Sequence, residues 1–185
     1  MSDLITDINA MSQPEFVALL GAVFEETPAI AQQAYAAKPF ASISELHQAM
    51  VAVVEEMPRS QQIALIQAHP ELATKAKMAE ASVQEQKGAG LDQLSPLEHE
   101  RFQTLNSAYR KKFDFPFVIA VKGHDKDSIL AALEGRLRNE REREVGRSLA
   151  EITKIARFRL EALSGNMSRN MSQMSQNIDN IDGNL

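Results

Sequence analysis

The run FPFVIAV (115–121) is the one stretch of this 185-residue chain that reads as a β-strand, and no second run offers itself as a partner. A lone strand leaves its backbone N–H and C=O groups without a ladder, and buried backbone polar groups must find partners. The run is therefore expected to be an extended connector, with helices on either side. Helix punctuation agrees. Ser12 with Glu15, Ser42 with Glu45 and Ser95 with Glu98 each place a capping box ahead of an apolar segment. Thr27 and Pro28 open another segment, Pro39, Pro58 and Pro70 close others, and Gly21 stands where a helix C-terminal glycine belongs. Further helices are expected over RSQQIALIQAH, HDKDSILAALEGRLRNE and VGRSLAEITKIARFRLEAL. The expected class is all-α, a single-domain crossed bundle of about seven or more helices.

Composition narrows the functional classes. Hydrophobic residues at 44% can fill one core, which suits a domain over 1–164 and leaves 165–185 as a separate tail. A net charge of −5 argues against nucleic acid or an anionic membrane as partner. The absence of cysteine removes disulfides, thiolate nucleophiles and Cys-ligated zinc together, and fits a reducing compartment. The N-terminal residues lack the basic start and apolar core of a signal peptide, and no apolar run approaches the roughly 20 residues of a membrane helix. A cytoplasmic setting is expected. The Ser/Asn/Met-rich tail carries Met167, Met171, Met174, Ile178, Ile181 and Leu185 at alternating spacings of four and three. That heptad fits a possible extra helix that oligomerises or docks, while the weak helix formers around it fit a frayed end.

Familiar catalytic motifs are missing. HERFQ lacks the second histidine of a zinc-binding HExxH helix, and no metal site is expected. No GxSxG elbow, phosphate loop or dinucleotide fingerprint occurs. Of the four histidines, His47 and His99 fall in charged helical stretches and are expected to be solvated, and His124 falls in a loop. His69 differs because Pro70 follows it. Proline disfavours helix at the preceding residue, so the imidazole is expected where helix turns to loop. Taken alone, an incidental helix-end histidine remains the simpler account. In SVQEQKGAGL, Ser82 and Glu85 fit a capping box and also a polar cluster facing a ligand at a helix N-terminus. Arg159 is the anomaly. It projects near the middle of the stripe formed by Leu149, Ile152, Ile155, Ala156, Leu160 and Leu163, whereas Arg157 projects outside it. A guanidinium there needs a buried carboxylate, such as Glu85, or a carboxylate of a substrate.

HPEL, SVQEQKGAGL, LNSAYRKKFDFPFVIAVKG and RLRNEREREVGRSLAEITKIARFRL, in that order, resemble the OHCU decarboxylases. OHCU is 2-oxo-4-hydroxy-4-carboxy-5-ureidoimidazoline. The resemblance runs from about residue 8 to residue 164 and implies an all-α, cofactor-independent carboxy-lyase of uric acid degradation, commonly a homodimer, that yields (S)-allantoin. It implies His69, Glu85 and Arg159 as catalytic residues. It implies substrate contacts from Pro70, from Ser82, Val83, Gln84, Glu85 and Gln86, and from Phe117, Val118, Ile119, Ala120 and Val121. Two departures are visible. The loop between HPEL and SVQEQ is short, and Asp114 stands where glycine is usual. Two other readings remain: a non-catalytic helical adaptor using the tail, and a related ureide or imidazoline isomerase or hydrolase.

Overall fold

The computed structural model describes residues 4–74 and 80–182, the side chains of 80, 81 and 166–182 excepted. Along the described chain run α1 (Leu4–Ala10), α2 (Gln13–Leu20), α3 (Pro28–Ala34) with a 3-10 turn at Tyr35–Ala37, α4 (Ile43–Glu56), α5 (Arg59–Gln67), α6 (Glu80–Gly88), α7 (Pro96–Phe113), α8 (Lys126–Arg136) and α9 (Arg141–Asp182). No strand occurs among the described residues. The all-α expectation holds. Helix α1 was not expected, although Leu4, Ile5 and Ile8 supply a short buried face.

Local chemistry explains most boundaries. The Ser95 backbone N–H donates to Glu98 at 2.8 Å and the Glu98 N–H donates back to Ser95 Oγ at 3.3 Å, which satisfies two orphan donors of α7. Gly21 does cap α2, but in a right-handed conformation with φ of −62°. Its glycine is required by space: a Cβ would lie 2.6 Å from the Val17 carbonyl oxygen and 3.1 Å from Pro28 Cβ at the start of α3. Asp114 caps α7 at φ 65°, a left-handed residue whose N–H donates to the Arg110 carbonyl. That geometry is why glycine suits the position and why an aspartate is tolerated there.

The run 115–121 is extended and unpaired by any strand, as expected, and all seven of its residues are buried. Phe115 and Phe117 pack edge-on against Tyr109, with ring centroids 6.1 and 5.3 Å away. Three of its backbone groups are held by side chains and a turn. Arg136 of α8 donates to the Val118 carbonyl at 2.7 Å, Glu151 of α9 accepts from the Ala120 N–H at 3.0 Å, and the His124 N–H donates to the Val121 carbonyl at 2.9 Å. In an extended chain the backbone groups of successive residues point to opposite sides, so the Val118 C=O and the Ala120 N–H point toward Arg136 and Glu151, while the N–H and C=O of Ile119, itself buried, point the other way.

Helix α9 is the axis on which α1, α4, α5 and α7 pack. Its inward stripe includes Val145, Ile152, Ile155, Ala156 and Leu160, as the periodicity required, with Leu149 and Leu163 half-buried. The same stripe carries Glu144, Ser148, Glu151 and Arg159, all buried. The helical backbone continues through the 164/165 boundary to Asp182. The heptad side chains from Met167 to Ile181, and Leu185, lie outside the described side chains.

Candidate active site

Helix α5 delivers His69. The Ala68 N–H completes the last helical turn, the His69 N–H reaches only the Ile66 carbonyl, and Pro70 then forbids continuation. The imidazole is turned inward and buried, with 6% of its surface exposed. Its Nδ1 lies 2.9 Å from the Leu65 carbonyl oxygen, and a carbonyl can only accept, so Nδ1 carries the proton and Nε2 is left with its lone pair. Burial pushes the imidazole pKa below its ordinary value of 6.5; the Leu65 carbonyl and the charges of Glu25 and Glu85 oppose that, while Arg159 adds to it. Beyond Pro70 the chain turns through Ala73, at φ 57°, whose N–H donates to Gln86 of α6 at 3.1 Å. Asn106 of α7 donates to the Leu72 carbonyl at 2.9 Å. The His69 turn is thus tied to two further helices.

Arg159 enters from α9, and every edge of its guanidinium is used. Nε and Nη2 donate to the two oxygens of Glu85 at 2.8 and 3.0 Å. Nη2 also donates to Ser82 Oγ at 3.0 Å, and Nη1 donates to Glu25 at 2.8 Å. Ser82 Oγ in turn donates to the Glu25 carboxylate, 3.0 and 3.1 Å from its oxygens. Burial works against the charge of Arg159, but its bonds to Glu85 and Glu25 outweigh it and hold its pKa above the ordinary value. The anomaly on the apolar stripe therefore has two anionic partners, one of which, Glu85, the sequence suggested.

The two carboxylates differ. Glu25 lies in the turn between α2 and α3 with 3% of its side chain exposed, whereas Glu85 on α6 is 31% exposed. Glu85 and Arg159, with Val121 and Ile155, also line the boundary between two adjoining cavities. The inner one, about 30 Å³, is lined by His69, Pro70, Leu72, Ser82, Glu85, Gln86, Phe117, Val118, Ile119, Val121, Ile155 and Arg159. The outer one, about 680 Å³, adds Gln84, Gly88 and Ala120 to a mostly apolar wall from α2 and α9, with Lys122 and Gly123 beside it. Val83 is 41% exposed and is in the lining of neither. No group of three or more His, Asp or Glu is placed to hold a metal ion among the described residues.

The sequence profile of the OHCU decarboxylases matches residues 9–161. The chain belongs to the OHCU decarboxylase family. It is 41% identical over 160 residues to the 2-oxo-4-hydroxy-4-carboxy-5-ureidoimidazoline decarboxylase of Halalkalicoccus jeotgali, an alignment spanning 86% of this chain and 91% of that one. It is 42% identical to the uric acid degradation bifunctional protein of Bacillus subtilis over 93% of this chain but only 36% of that protein. A crystal structure of (S)-allantoin synthase superposes with a TM-score of 0.70 at 30% identity, over 87% of this chain and 53% of that one.

Two expectations need correcting for this family member. Ser82 and Glu85 do not form a capping box, because α6 starts at Glu80 and the Ser82 hydroxyl is spent on Glu25 and Arg159. A Ser-x-x-Glu spacing is the same one turn inside a helix as at its start, so spacing alone could not separate the two. His47 is not simply solvated: its Nε2 lies 2.8 Å from the Thr153 carbonyl oxygen of α9. The short loop after HPEL includes 75–79, which lie outside the described residues. Sequence reasoning also missed Glu25. It sits in a turn, outside any periodic face, where no helical pattern could flag it.

Proposed function

We propose that the chain decarboxylates OHCU to (S)-allantoin in uric acid degradation. The observation that supports this best is the convergence of His69, Glu85 and Arg159, with Ser82, Gln86, Phe117, Val118, Ile119 and Val121, on one inner cavity. The reaction asks for little more. The substrate carries its own electron sink, a C=N bond next to the carbon that bears the carboxylate and hydroxyl. As the C–CO2 bond breaks, its electron pair forms a C=C bond and the C=N pair moves onto nitrogen, which takes a proton. The resulting enol then loses its hydroxyl proton and gains one on the neighbouring ring carbon. The substrate thus supplies the electron sink for which other decarboxylations use a cofactor.

His69 is suited to the proton steps. With Nδ1–H fixed on Leu65, Nε2 accepts the hydroxyl proton and can return one to carbon on the same face, which sets the product's handedness. Its depressed pKa keeps it in the base form at neutral pH. Arg159 presents a planar fork to the substrate's carboxylate or ring oxygens, and Glu85 accepts ureido N–H groups once it turns from Arg159. Ile119, facing away from Arg136 and Glu151, offers its peptide groups to the ureido end. The inner cavity has space for about one water molecule, so substrate entry requires the Glu85 side of α6 to give way toward the larger outer cavity.

A cytoplasmic homodimer completes the reading. The cysteine-free composition fits a reducing compartment, and no described helix is long and apolar enough to cross a membrane. The heptad spacing from Met167 onward, on a backbone that stays helical to Asp182, fits a second copy of the chain as partner. Supplying freshly made OHCU and following circular dichroism tests the activity: racemic product at the spontaneous rate would sink it.

A further inference from the structure

We propose that Glu25 is a positioning residue for the decarboxylation: it fixes Arg159 and Ser82 so that Glu85 is free to leave Arg159 and meet the substrate. The inference rests on the roles given above to His69 and Arg159, and adds a residue that the family motifs quoted above do not contain.

The chain keeps Glu25 where it is against two physical costs. Its φ of 51° is left-handed, a conformation that is unfavourable for a residue with a side chain. Its carboxylate is buried, which is unfavourable for an ion unless it is paired and hydrogen-bonded. Both are met by one arrangement. Arg159 Nη1 donates to Glu25 at 2.8 Å and, at 3.3 and 3.4 Å, to the Ala22 and Val23 carbonyls of the same turn. The α2–α3 turn is thus a socket for one edge of the guanidinium, and Ser82 carries the hold across to α6.

A second carboxylate is superfluous if the resting structure is all that matters, because Glu85 already pairs bidentately with Arg159. The difference in exposure gives the reason. Glu85 stands at the boundary of the two cavities and is about ten times more exposed than Glu25, at 31% against 3%. When Glu85 turns to the substrate, Glu25 remains as the counter-ion, and the planar fork keeps its orientation in the dry interior. Glu25 also faces His69 together with Glu85 and Arg159, and its charge favours the protonated imidazole.

The test uses the full chain. Glu25→Gln keeps the shape and one acceptor but removes the charge. Turnover and KM are measured across pH by the dichroism of the allantoin formed. A folded Glu25→Gln variant should lose kcat by about tenfold or more, while KM moves by no more than about threefold. The acid limb of its kcat/KM profile should move to lower pH, because one influence that favours protonated His69 is gone. A folded variant with kcat within about twofold of wild type and an unmoved acid limb would overturn the proposal. Should Glu25→Gln not fold, Glu25→Asp keeps the charge at a shorter reach. A folded Asp variant should lose at least about fivefold in kcat at unchanged KM. Wild-type kcat in that variant, or failure of both variants to fold, would assign Glu25 to stability alone. His69→Asn and Arg159→Lys separate the two levels: if both keep wild-type rates, the site reading itself has failed, whereas if both lose activity and Glu25→Gln does not, only this inference has.

Discussion

Replacing Arg159 with methionine tests whether the polar centre of the site is truly dry. The change keeps an unbranched apolar stem on the inward stripe of α9 and removes the charge. Glu85, 31% exposed, can turn to water and should add little, on the order of 0–1 kcal/mol as for a surface pair. Glu25 cannot. It is 3% exposed, and without Arg159 it keeps only the Ser82 hydroxyl as a charge-relieving partner. Removing one member of a buried ion pair typically costs about 3–5 kcal/mol, so Arg159→Met should destabilise the fold by roughly that amount. Glu25→Gln in the same background removes the stranded charge, and the double variant should recover on the order of 2 kcal/mol of the summed single losses. Urea melts of the four proteins give this cycle, provided the m-values agree. An Arg159→Met loss below about 1 kcal/mol, or additive losses across the cycle, would refute the buried Glu25–Arg159 pair.

Other outcomes follow from the same geometry. Because burial depresses the His69 pKa, stability from this group is fully present above its unfolded value of 6.5 and is lost as pH falls from there through the lower folded value. His69→Asn should therefore flatten the acid slope of stability, read from urea melts between neutral and mildly acid pH, and an unchanged slope would contradict the burial argument. Asp114→Gly should stabilise by about 0.5–1 kcal/mol at constant m-value, because φ of 65° is strained for aspartate and free for glycine. Deleting 165–185 should give a smaller particle by sedimentation velocity with retained turnover; an unchanged sedimentation coefficient per mass would remove the tail from assembly.

The fold class was legible because two signals agreed: N-cap serines at Ser12, Ser42 and Ser95, of which Ser42 forms only half of the expected box because Glu45 accepts from the Ala41 N–H instead, and a single strand-like run with no mate. What that run does with its backbone was not legible. Arg136 and Glu151, which hold Val118 and Ala120, carry no motif that singles them out in the sequence. Arg136 nonetheless follows Ile129, Leu130 and Leu133 on the buried face of α8, as Arg159 follows Ile152 and Ile155 on α9. Arg136 pairs with Glu144, which also accepts from Tyr109 and Asn139, so the fold buries a second ionic centre beside the connector. Glu25 shows where pattern reading ends. Its importance comes from a turn bringing it to Arg159 across 134 positions of sequence, and no local spacing encodes that contact.

On this reading the cavity decarboxylates OHCU on one face under the control of His69. The most direct measurement is circular dichroism of the allantoin formed when freshly generated OHCU meets wild type and His69→Asn at equal concentration. Wild type should give optically active (S)-allantoin well ahead of the spontaneous decay, and the His69→Asn rate should fall by on the order of a hundredfold or more. Racemic product at the uncatalysed rate with wild type would contradict the function, and an unchanged rate in His69→Asn would contradict the role of the histidine.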